Sequence, residues 1–283
     1  MQAETPSTTA QIVAFARALA DIRPHVPGFS DPIAKHFLGQ PFRGLVDLAY
    51  YGFWAQSSRL FERYLGMIAA NEFRTVGLDQ AIAAAPAHSQ LVILGAGLDS
   101  RAWRLDTLAG KIVFEIDHPA TQAWKRQRAR QFKTTAHAVR YVPVDFARDD
   151  LVTRLAAAGH DPQQPTFWLW EGVVFYLPPE AVAATMVAAA HCSAPQSTMA
   201  VSYLTELAQG PALTYLNYLH EPLVTAFKSS EFATFAAGLG WQTELDFGME
   251  TWRQMAPDTD IVLLTVGLQK HERIWIGHIA KAG

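Results

Sequence analysis

A glycine turn followed by an acid is the first feature of this sequence that can do chemistry. The apolar run 91–94 leads into Gly95, Ala96 and Gly97, and Asp99 follows two residues later. Glycines let the backbone approach a ligand closely. A carboxylate at this point opposes a phosphate group, because the start of a helix is where anions bind. The turn therefore favours a ligand that has no phosphate.

Acidic residues also follow the later apolar runs of the same region. Glu115 and Asp117 end the second run, Asp145 ends the third and Glu171 ends the fourth. Ligands bind at the carboxyl ends of the strands of an open parallel sheet, so we expect these acids to share one edge with the glycine turn. A rim of carboxylates favours a cation. S-adenosylmethionine, a nucleoside with a sulfonium and no phosphate, has that character.

Each acid can be matched to a part of S-adenosylmethionine. Asp117 can accept hydrogen bonds from both ribose hydroxyls, and Asp145 can accept one from the adenine amino group. Glu171 can pair with the ammonium of the methionine moiety, and His118, next to Asp117, is a further candidate contact. The carboxylate of the ligand then requires an arginine.

A nicotinamide dinucleotide is the alternative ligand. Gly95, Gly97 and the acid Asp117 resemble the fingerprint of a dinucleotide-binding turn. Ser100 stands in place of the third glycine, however, and Asp99 would face the pyrophosphate. We therefore favour S-adenosylmethionine over this alternative.

Short apolar runs that alternate with helical segments position these residues. They predict parallel strands at 91–94, 112–116, 139–144, 166–171 and 197–203, with helices on both faces of the sheet. Residues 1–90 have helical periodicity, and Pro179 is predicted to open a helix after the fourth strand. Segments 240–247 and 273–279 are predicted to form an antiparallel pair at one edge, and 261–270 suits either a strand or a helix.

Composition limits the class of protein. The chain has 283 residues, half of them apolar, which suits one α/β domain with additions. A net charge of -3 gives no general attraction to nucleic acid or anionic membranes, and no run reaches the roughly 18 apolar residues of a membrane span. The single Cys192 indicates a reducing, cytoplasmic protein, and no spacing of Cys and His suggests a metal site.

Four motifs in this order and spacing resemble the leucine carboxyl methyltransferase family, including its bacterial branch of small-molecule O-methyltransferases. They are "QLVILGAGLDSRAWRL", "VFEIDHP", "YVPVDF" and "FWLWEGVVFYLPPEAV". The resemblance implies a Rossmann-like class I methyltransferase fold, with a doubly wound, mostly parallel seven-stranded sheet and S-adenosylmethionine as methyl donor. It also implies one domain over 1–283, with a helical cap at 1–90, a cofactor-binding core at 91–203, a helical cap insertion at 204–240 and terminal strands at 241–283.

The resemblance also implies roles for single residues. In "EFRTVGLDQAI" it assigns Arg74 to the cofactor carboxylate. Gly95 and Asp117 match the cofactor-contacting glycine and the ribose-binding acid. Asp145 and Phe146 match the adenine contact, and Glu171 matches the acid beside the amino group of methionine. Arg17 is a looser match to a basic residue of the N-terminal helix. Ser100, like Asp99, is expected to cap the helix that follows the turn.

Several functions stay open on the sequence alone. The first is methyl transfer to a carboxylate or hydroxyl of a small metabolite, with polyketide-like compounds as one candidate class. The alternatives are methylation of a protein C-terminal carboxylate, a nicotinamide-dependent oxidoreductase and a binding protein without activity. No catalytic residue is assigned, although His118, Tyr203 and Glu206 are candidate bases if the acceptor is a hydroxyl.

Overall fold

A seven-stranded sheet carries the glycine turn and the acids. The computed structural model describes residues 7–51, 59–85, 88–144, 149–207, 222–255 and 268–279. The strands have the spatial order β3-β2-β1-β4-β5-β7-β6. Their bounds are β1 (Gln90–Leu94), β2 (Ile112–Asp117), β3 (Ala138–Pro143), β4 (Thr166–Trp170), β5 (Thr198–Leu204), β6 (Trp241–Phe247) and β7 (Glu272–Ile279).

The pairing confirms the predicted topology. Strands β1 to β5 run parallel to one another, whereas β7 runs antiparallel to β5 and β6 runs antiparallel to β7 at the edge. The predicted segments at 240–247 and 273–279 are therefore the antiparallel pair. The segment 261–270 falls mostly outside the described residues.

Helices flank the sheet on both sides. In the described part of the chain they are α1 (Thr8–Ile22), α2 (Ala34–Phe37), α3 (Phe42–Tyr50), α4 (Arg59–Ala84), α5 (Arg101–Arg104), α6 (Pro119–Ala129), α7 (Leu151–Ala157), α8 (Pro179–His191), α9 (Ser229–Gly238) and α10 (Met249–Met255). Pro179 is the first residue of α8, as predicted, because its fixed backbone angle suits the first helical turn.

Alternating side chains of the strands build two cores. In β1, Leu91 and Ile93 face a core shared with α1 and α4, whereas Val92 and Leu94 face a core shared with α7, α8 and α9. Phe232 of α9 belongs to the second core. This part of the predicted cap insertion therefore covers a face of the sheet. Among the described helices, none is long and apolar enough to cross a membrane.

Strand order reverses beside β1, and this reversal creates the crevice of the site. The chain leaves β1 for β2 on one side, and β4 pairs with β1 on the other side. Residues that follow β1 and β4 therefore emerge next to each other, with the glycine turn after Leu94 and Glu171 after Trp170. This is the position where open α/β sheets bind their ligands.

Glu115 does not belong to this edge, contrary to the sequence prediction. It lies inside β2, in register with Ile93 on one side and Tyr141 on the other. Its carboxylate is buried and forms an ion pair with Lys125 of α6 at 2.8 Å. A strand places alternate side chains on opposite faces, so a polar residue near the strand end can point into the core.

Candidate functional site

The glycine turn has a shape that side chains would prevent. Gly95 and Gly97 have φ angles of 67° and 46°, in the left-handed region. A Cβ atom on Gly95 would lie 2.5 Å from Cγ2 of Val173. The amide of Ala96 donates to the carbonyl of Ile116 at 2.9 Å, which ties the turn to β2.

A cavity of about 450 Å³ opens above this turn. Its walls include the predicted cofactor-binding residues that the structure describes, namely Arg74, Gly95, Ala96, Gly97, Asp117, His118 and Glu171. Asp145 and Phe146 lie outside the described residues, so their adenine contacts stay predictions. The structure therefore brings together residues that are up to 97 positions apart in sequence.

Asp117 ends β2 and closes one side of the cavity. Its carboxylate accepts hydrogen bonds from the backbone N–H groups of Gly97 and His118. Burial raises the pKa of Asp117, and these two N–H groups oppose that effect. His118 is the N-cap of α6, where its Nδ1 accepts from the N–H of Ala120 at 3.3 Å.

Arg74 and Glu171 contact each other. Nε of Arg74 donates to Oε1 of Glu171 at 2.8 Å, and Nη1 donates to Oε1 of Glu272 at 2.8 Å. Nη2 donates to Oδ1 of Asn71 at 2.6 Å. These bonds use three of the five guanidinium N–H groups. Arg74 can therefore still donate to an anionic ligand in the cavity.

Arg101 holds the second oxygen of Glu171, and the sequence analysis did not identify it. Its Nη1 donates to Oε2 of Glu171 at 2.7 Å and also to Asp99, and its Nε donates to Asp79 at 2.6 Å. Burial raises the pKa of Glu171, but the guanidinium groups of Arg101 and Arg74 outweigh burial and hold it well below its usual range. Glu171 is therefore ionised.

These contacts belong to a larger buried set of charges, which we call the arginine–carboxylate network. Arg104 donates to Asp79 at 2.7 Å, and Arg17 of α1 lies 3.2 Å from Asp31. The members of the network are Arg17, Arg74, Arg101, Arg104, Asp31, Asp79, Asp99, Glu171 and Glu272. Of these members, Arg17, Arg74, Asp99 and Glu171 line the described cavity, whereas the others lie outside its wall.

Arg17 reaches the cavity, as the looser family match suggested. Its Nη2 donates to the carbonyl of Leu98 at 2.7 Å, immediately after the glycine turn. The helix α1 approaches the turn closely, since a Cβ atom on Gly97 would lie 3.3 Å from Cβ of Ala10. The N-terminal helix therefore forms one wall of the site.

The two predicted helix caps have different outcomes. Oδ1 of Asp99 accepts from the N–H of Arg101 at 2.8 Å, which confirms its capping role. The prediction for Ser100 is wrong, because its hydroxyl donates to Asp31 at 2.6 Å and makes no capping bond. The oxygen of this hydroxyl accepts from Nε of Arg104 at 3.1 Å instead of from a backbone N–H, and nothing near Ser100 in the sequence indicates the distant partner Asp31.

Neither Tyr203 nor Glu206 lines the described cavity. The hydroxyl of Tyr203 donates to Asp246 at 2.7 Å inside the second core. Burial raises the pKa of Tyr203, so the group stays protonated. Glu206 is largely exposed and faces His271 at 3.6 Å.

The cavity fits S-adenosylmethionine, the cofactor that the resemblance implies. Its volume falls within the usual range for cofactor sites. Gly95 and Gly97 line the cavity with backbone that carries no side chain. The hydroxyl of Thr121, a buried residue of the cavity wall, has no hydrogen-bond partner among the described residues. Asp117, Glu171 and Arg74 offer groups of the correct charge to the ribose, the ammonium and the carboxylate.

Comparison with known proteins points to the same cofactor. The model of the leucine carboxyl methyltransferase family matches residues 10–190. A relative from Mycolicibacterium gilvum, named as an S-adenosyl-L-methionine-dependent methyltransferase, is 38% identical over 213 residues, which are 71% of this chain and 67% of the relative. A relative from Frankia alni with the same kind of name is 38% identical over 196 residues, which are 69% of this chain and 67% of the relative.

Solved structures share the fold at low sequence identity. A methyltransferase from Thermobifida fusca has a TM-score of 0.54 and 15% identity, over 97% of this chain and 95% of that one. Magnesium protoporphyrin IX methyltransferase from Synechocystis, solved with S-adenosylmethionine bound, has a TM-score of 0.50 and 11% identity, over 83% of this chain and 90% of that one. The sheet is therefore that of class I methyltransferases. With the family match over most of the cofactor-binding core, the chain belongs to the leucine carboxyl methyltransferase family and is an S-adenosylmethionine-dependent methyltransferase.

Proposed function

We propose that the enzyme transfers the methyl group to an oxygen atom of a small metabolite, with a carboxylate favoured over a hydroxyl. One observation carries this proposal. The carboxylates and the histidine in the described cavity wall, namely Asp99, Asp117, His118 and Glu171, are each already engaged by a protein partner, so none of these four side chains is ready to remove a proton from an acceptor. A carboxylate needs no such base, because it is already an anion near neutral pH.

Each of these four side chains has a protein partner. Glu171 is held by two arginines and Asp99 by Arg101. Asp117 accepts two backbone N–H groups. His118 uses Nδ1 as an acceptor, and in the neutral ring this places the proton on Nε2. While that hydrogen bond holds, neither ring nitrogen is free to act as a base.

The remaining wall suits an acceptor with an apolar body. Val13, Ile93, Val144, Val173 and Leu177 contribute to the cavity. When bound, S-adenosylmethionine supplies an electrophilic methyl group on a positively charged sulfur. An apolar wall excludes water from an anionic oxygen, and opposite charges cancel as it approaches the sulfonium methyl. The chain then contributes mainly alignment of the two reactants.

Closure by α1 favours a small acceptor over a protein tail. Ala10, Val13 and Arg17 of this helix cover the glycine turn. Methylation of a protein C-terminal carboxylate is the alternative, and it requires a groove that admits an extended peptide. A polyketide-like acid is one candidate class of acceptor. The cytoplasmic location and the absence of nucleic-acid and membrane partners stay predictions from composition.

A methyl-transfer assay tests the proposal. The purified enzyme is incubated with S-adenosylmethionine and three acceptor pools: small apolar carboxylic acids, the matching alcohols and phenols, and peptides that end in leucine. We expect methylated acids, detected by mass spectrometry, that alkali hydrolyses back to the acid, because methyl esters are base-labile and methyl ethers are not. Methylation of peptides alone, or of nitrogen, would contradict the proposal.

A further inference from the structure

We propose that Arg101 is a positioning residue that holds Glu171 ionised and oriented toward the amino-acid end of the cofactor. The two oxygens of Glu171 accept hydrogen bonds from different arginines: Oε1 accepts from Arg74 at 2.8 Å and Oε2 accepts from Arg101 at 2.7 Å. Neither arginine alone fixes both oxygens. The inference rests on the proposed role of Glu171 as a cofactor ligand.

Arg101 acts through Glu171 rather than on the cofactor itself. Its side chain is fully buried and does not belong to the described cavity wall, whereas Glu171 does. Three carboxylates, those of Asp79, Asp99 and Glu171, surround its guanidinium. The planar guanidinium is suited to this task, because it presents several N–H groups in fixed directions.

Removing Arg101 would change the charge balance around Glu171. Arg74 is shared with Glu272, so two carboxylates would depend on one guanidinium. Four charged groups bear on Glu171: Arg74 from α4, Arg101 from α5, Arg17 from α1 and Asp99 after the turn.

Arg101 is the largest of the charges that lower the pKa of Glu171 against the effect of burial. Without it, fewer charges oppose the effect of burial, and the pKa of Glu171 rises. A protonated Glu171 no longer attracts the ammonium of the cofactor. The cofactor affinity of a variant without Arg101 would then fall more steeply than that of the natural chain as the pH is lowered.

The test compares Arg101→Gln with Arg104→Gln. Arg104 lies on the same short helix and contacts the same Asp79, but it makes no contact with Glu171. Binding of S-adenosylmethionine to the full chain is measured by calorimetry at several pH values between about 6 and about 8. Thermal unfolding of each variant is recorded in parallel, and Arg101→Lys tests recovery by another cation.

We expect Arg101→Gln to weaken binding by about tenfold at the upper pH and by more at the lower pH. Arg101→Lys should recover much of this loss, and Arg104→Gln should keep the affinity and the pH profile of the natural chain. Equal affinities of Arg101→Gln and Arg104→Gln, or a loss of affinity in Arg101→Gln relative to the natural chain that is the same at every pH, would overturn the inference. If Arg101→Gln does not fold, the same comparison is made between Arg101→Lys and Arg104→Lys, where only the first should weaken binding.

Glu171→Gln separates this inference from the site assignment. If Glu171→Gln binds the cofactor as tightly as the natural chain, Glu171 is not a ligand and both ideas fall. If Glu171→Gln binds weakly while Arg101→Gln is unaffected, only the positioning role is wrong. Neither result depends on the acceptor, so the proposed methyl transfer to oxygen is tested separately.

Discussion

Two buried carboxylates at the two strands that flank β1 have pKa shifts in opposite directions. Glu171 follows β4, borders the cavity and contacts two arginines. Glu115 lies inside β2, away from the described cavity wall, and contacts one lysine at 2.8 Å. Burial raises the pKa of Glu115 to about 7, and Lys125 opposes that effect only in part. In Glu171 the arginines outweigh burial, and the pKa falls below its usual range.

The difference shows how the fold separates binding charges from structural charges. Lys125 is itself surrounded by apolar rings, with its Nζ 5.3 Å from the ring centre of Trp103, so the Glu115–Lys125 pair is closed to ligands. Glu171, in contrast, lines the described cavity, and its contacts with Arg74 and Arg101 keep it negatively charged. A carboxylate that binds a cationic ligand must be ionised before the ligand arrives, and the two arginines in contact with Glu171 keep it ionised.

The largest expected effect comes from removing Arg74. We expect Arg74→Met to lower the free energy of unfolding by about 4 kcal/mol, because Glu171 and Glu272 both lose a buried partner. Binding of S-adenosylmethionine should weaken by about 1–3 kcal/mol through loss of charged hydrogen bonds. Denaturant unfolding and calorimetry measure the two quantities.

Lys125→Met is the matched control for this comparison. It also removes a buried cation from a carboxylate, but from the pair that does not border the described cavity. It should lower stability while changing cofactor affinity far less than Arg74→Met. If both variants lose the cofactor to the same extent, the distinction between binding and structural charges is wrong.

The second effect is a pH dependence that Glu115 introduces. Its pKa in the folded protein, about 7, lies above its ordinary value of 4.5, so the folded chain keeps a proton that the unfolded chain releases. This contribution to stability is present below about pH 4.5 and is lost as the pH rises through about 7. The loss amounts to about 3 kcal/mol.

Glu115→Gln should remove this pH dependence. The stability of the variant relative to the natural chain is therefore expected to increase between about pH 5 and about pH 8, even if the variant is less stable at the lower pH. Denaturant unfolding over that range measures it. A constant difference between the two proteins would show that Glu115 is ionised at both ends, as Glu171 is.

The same two residues show how far the sequence predicts the site. The glycine turn, Asp117 and Glu171 were predicted because each immediately follows an apolar run, and parallel strands bring such residues to one edge. The same rule predicts that Glu115 lies at this edge, and the prediction is wrong because Glu115 lies inside β2. Only the packing of α6 against β2 puts Lys125 beside Glu115 and keeps that carboxylate inside the sheet.

The partners of the site were beyond the reach of local patterns. Arg101 lies within the glycine motif, yet its buried guanidinium is paired with Asp79 of α4, which lies 22 positions earlier in the sequence. Glu272 is 198 positions from Arg74 and reaches it only because β7 inserts between β5 and β6. The strand positions and the antiparallel edge pair follow from periodicity, whereas the charge network depends on contacts between distant elements.

A smaller effect is expected at the glycine turn. Gly95→Ala should destabilise the protein by about 2 kcal/mol more than Gly110→Ala. Both glycines have a positive φ angle, 67° and 79°, so both variants bear the same backbone strain. Only at Gly95 does the added Cβ meet a neighbour, Val173 at 2.5 Å, and at Gly110 nothing lies within 4 Å.

Cofactor binding distinguishes the two glycine variants further. Gly95→Ala should weaken binding of S-adenosylmethionine, and adding Val173→Ala should restore part of the stability by making space for the new methyl group. Gly110→Ala should bind normally, since it lies outside the described cavity wall. Equal unfolding curves for the two single variants would contradict the close contact between the turn and Val173.

The smallest expected effect concerns Tyr203, whose hydroxyl belongs to a structural charge cluster. Tyr203→Phe should lower the free energy of unfolding by about 1 kcal/mol, the usual loss for one hydrogen bond. Asp246 keeps its bonds from Ser229 at 2.6 Å and Arg273 at 2.8 Å, so no buried charge is abandoned. The ring contact with Phe232, at 4.4 Å between centres, is retained by the new phenylalanine. Methyl transfer should proceed at the natural rate, because Tyr203 does not line the described cavity. A large fall in kcat with unchanged stability would restore Tyr203 as a candidate base.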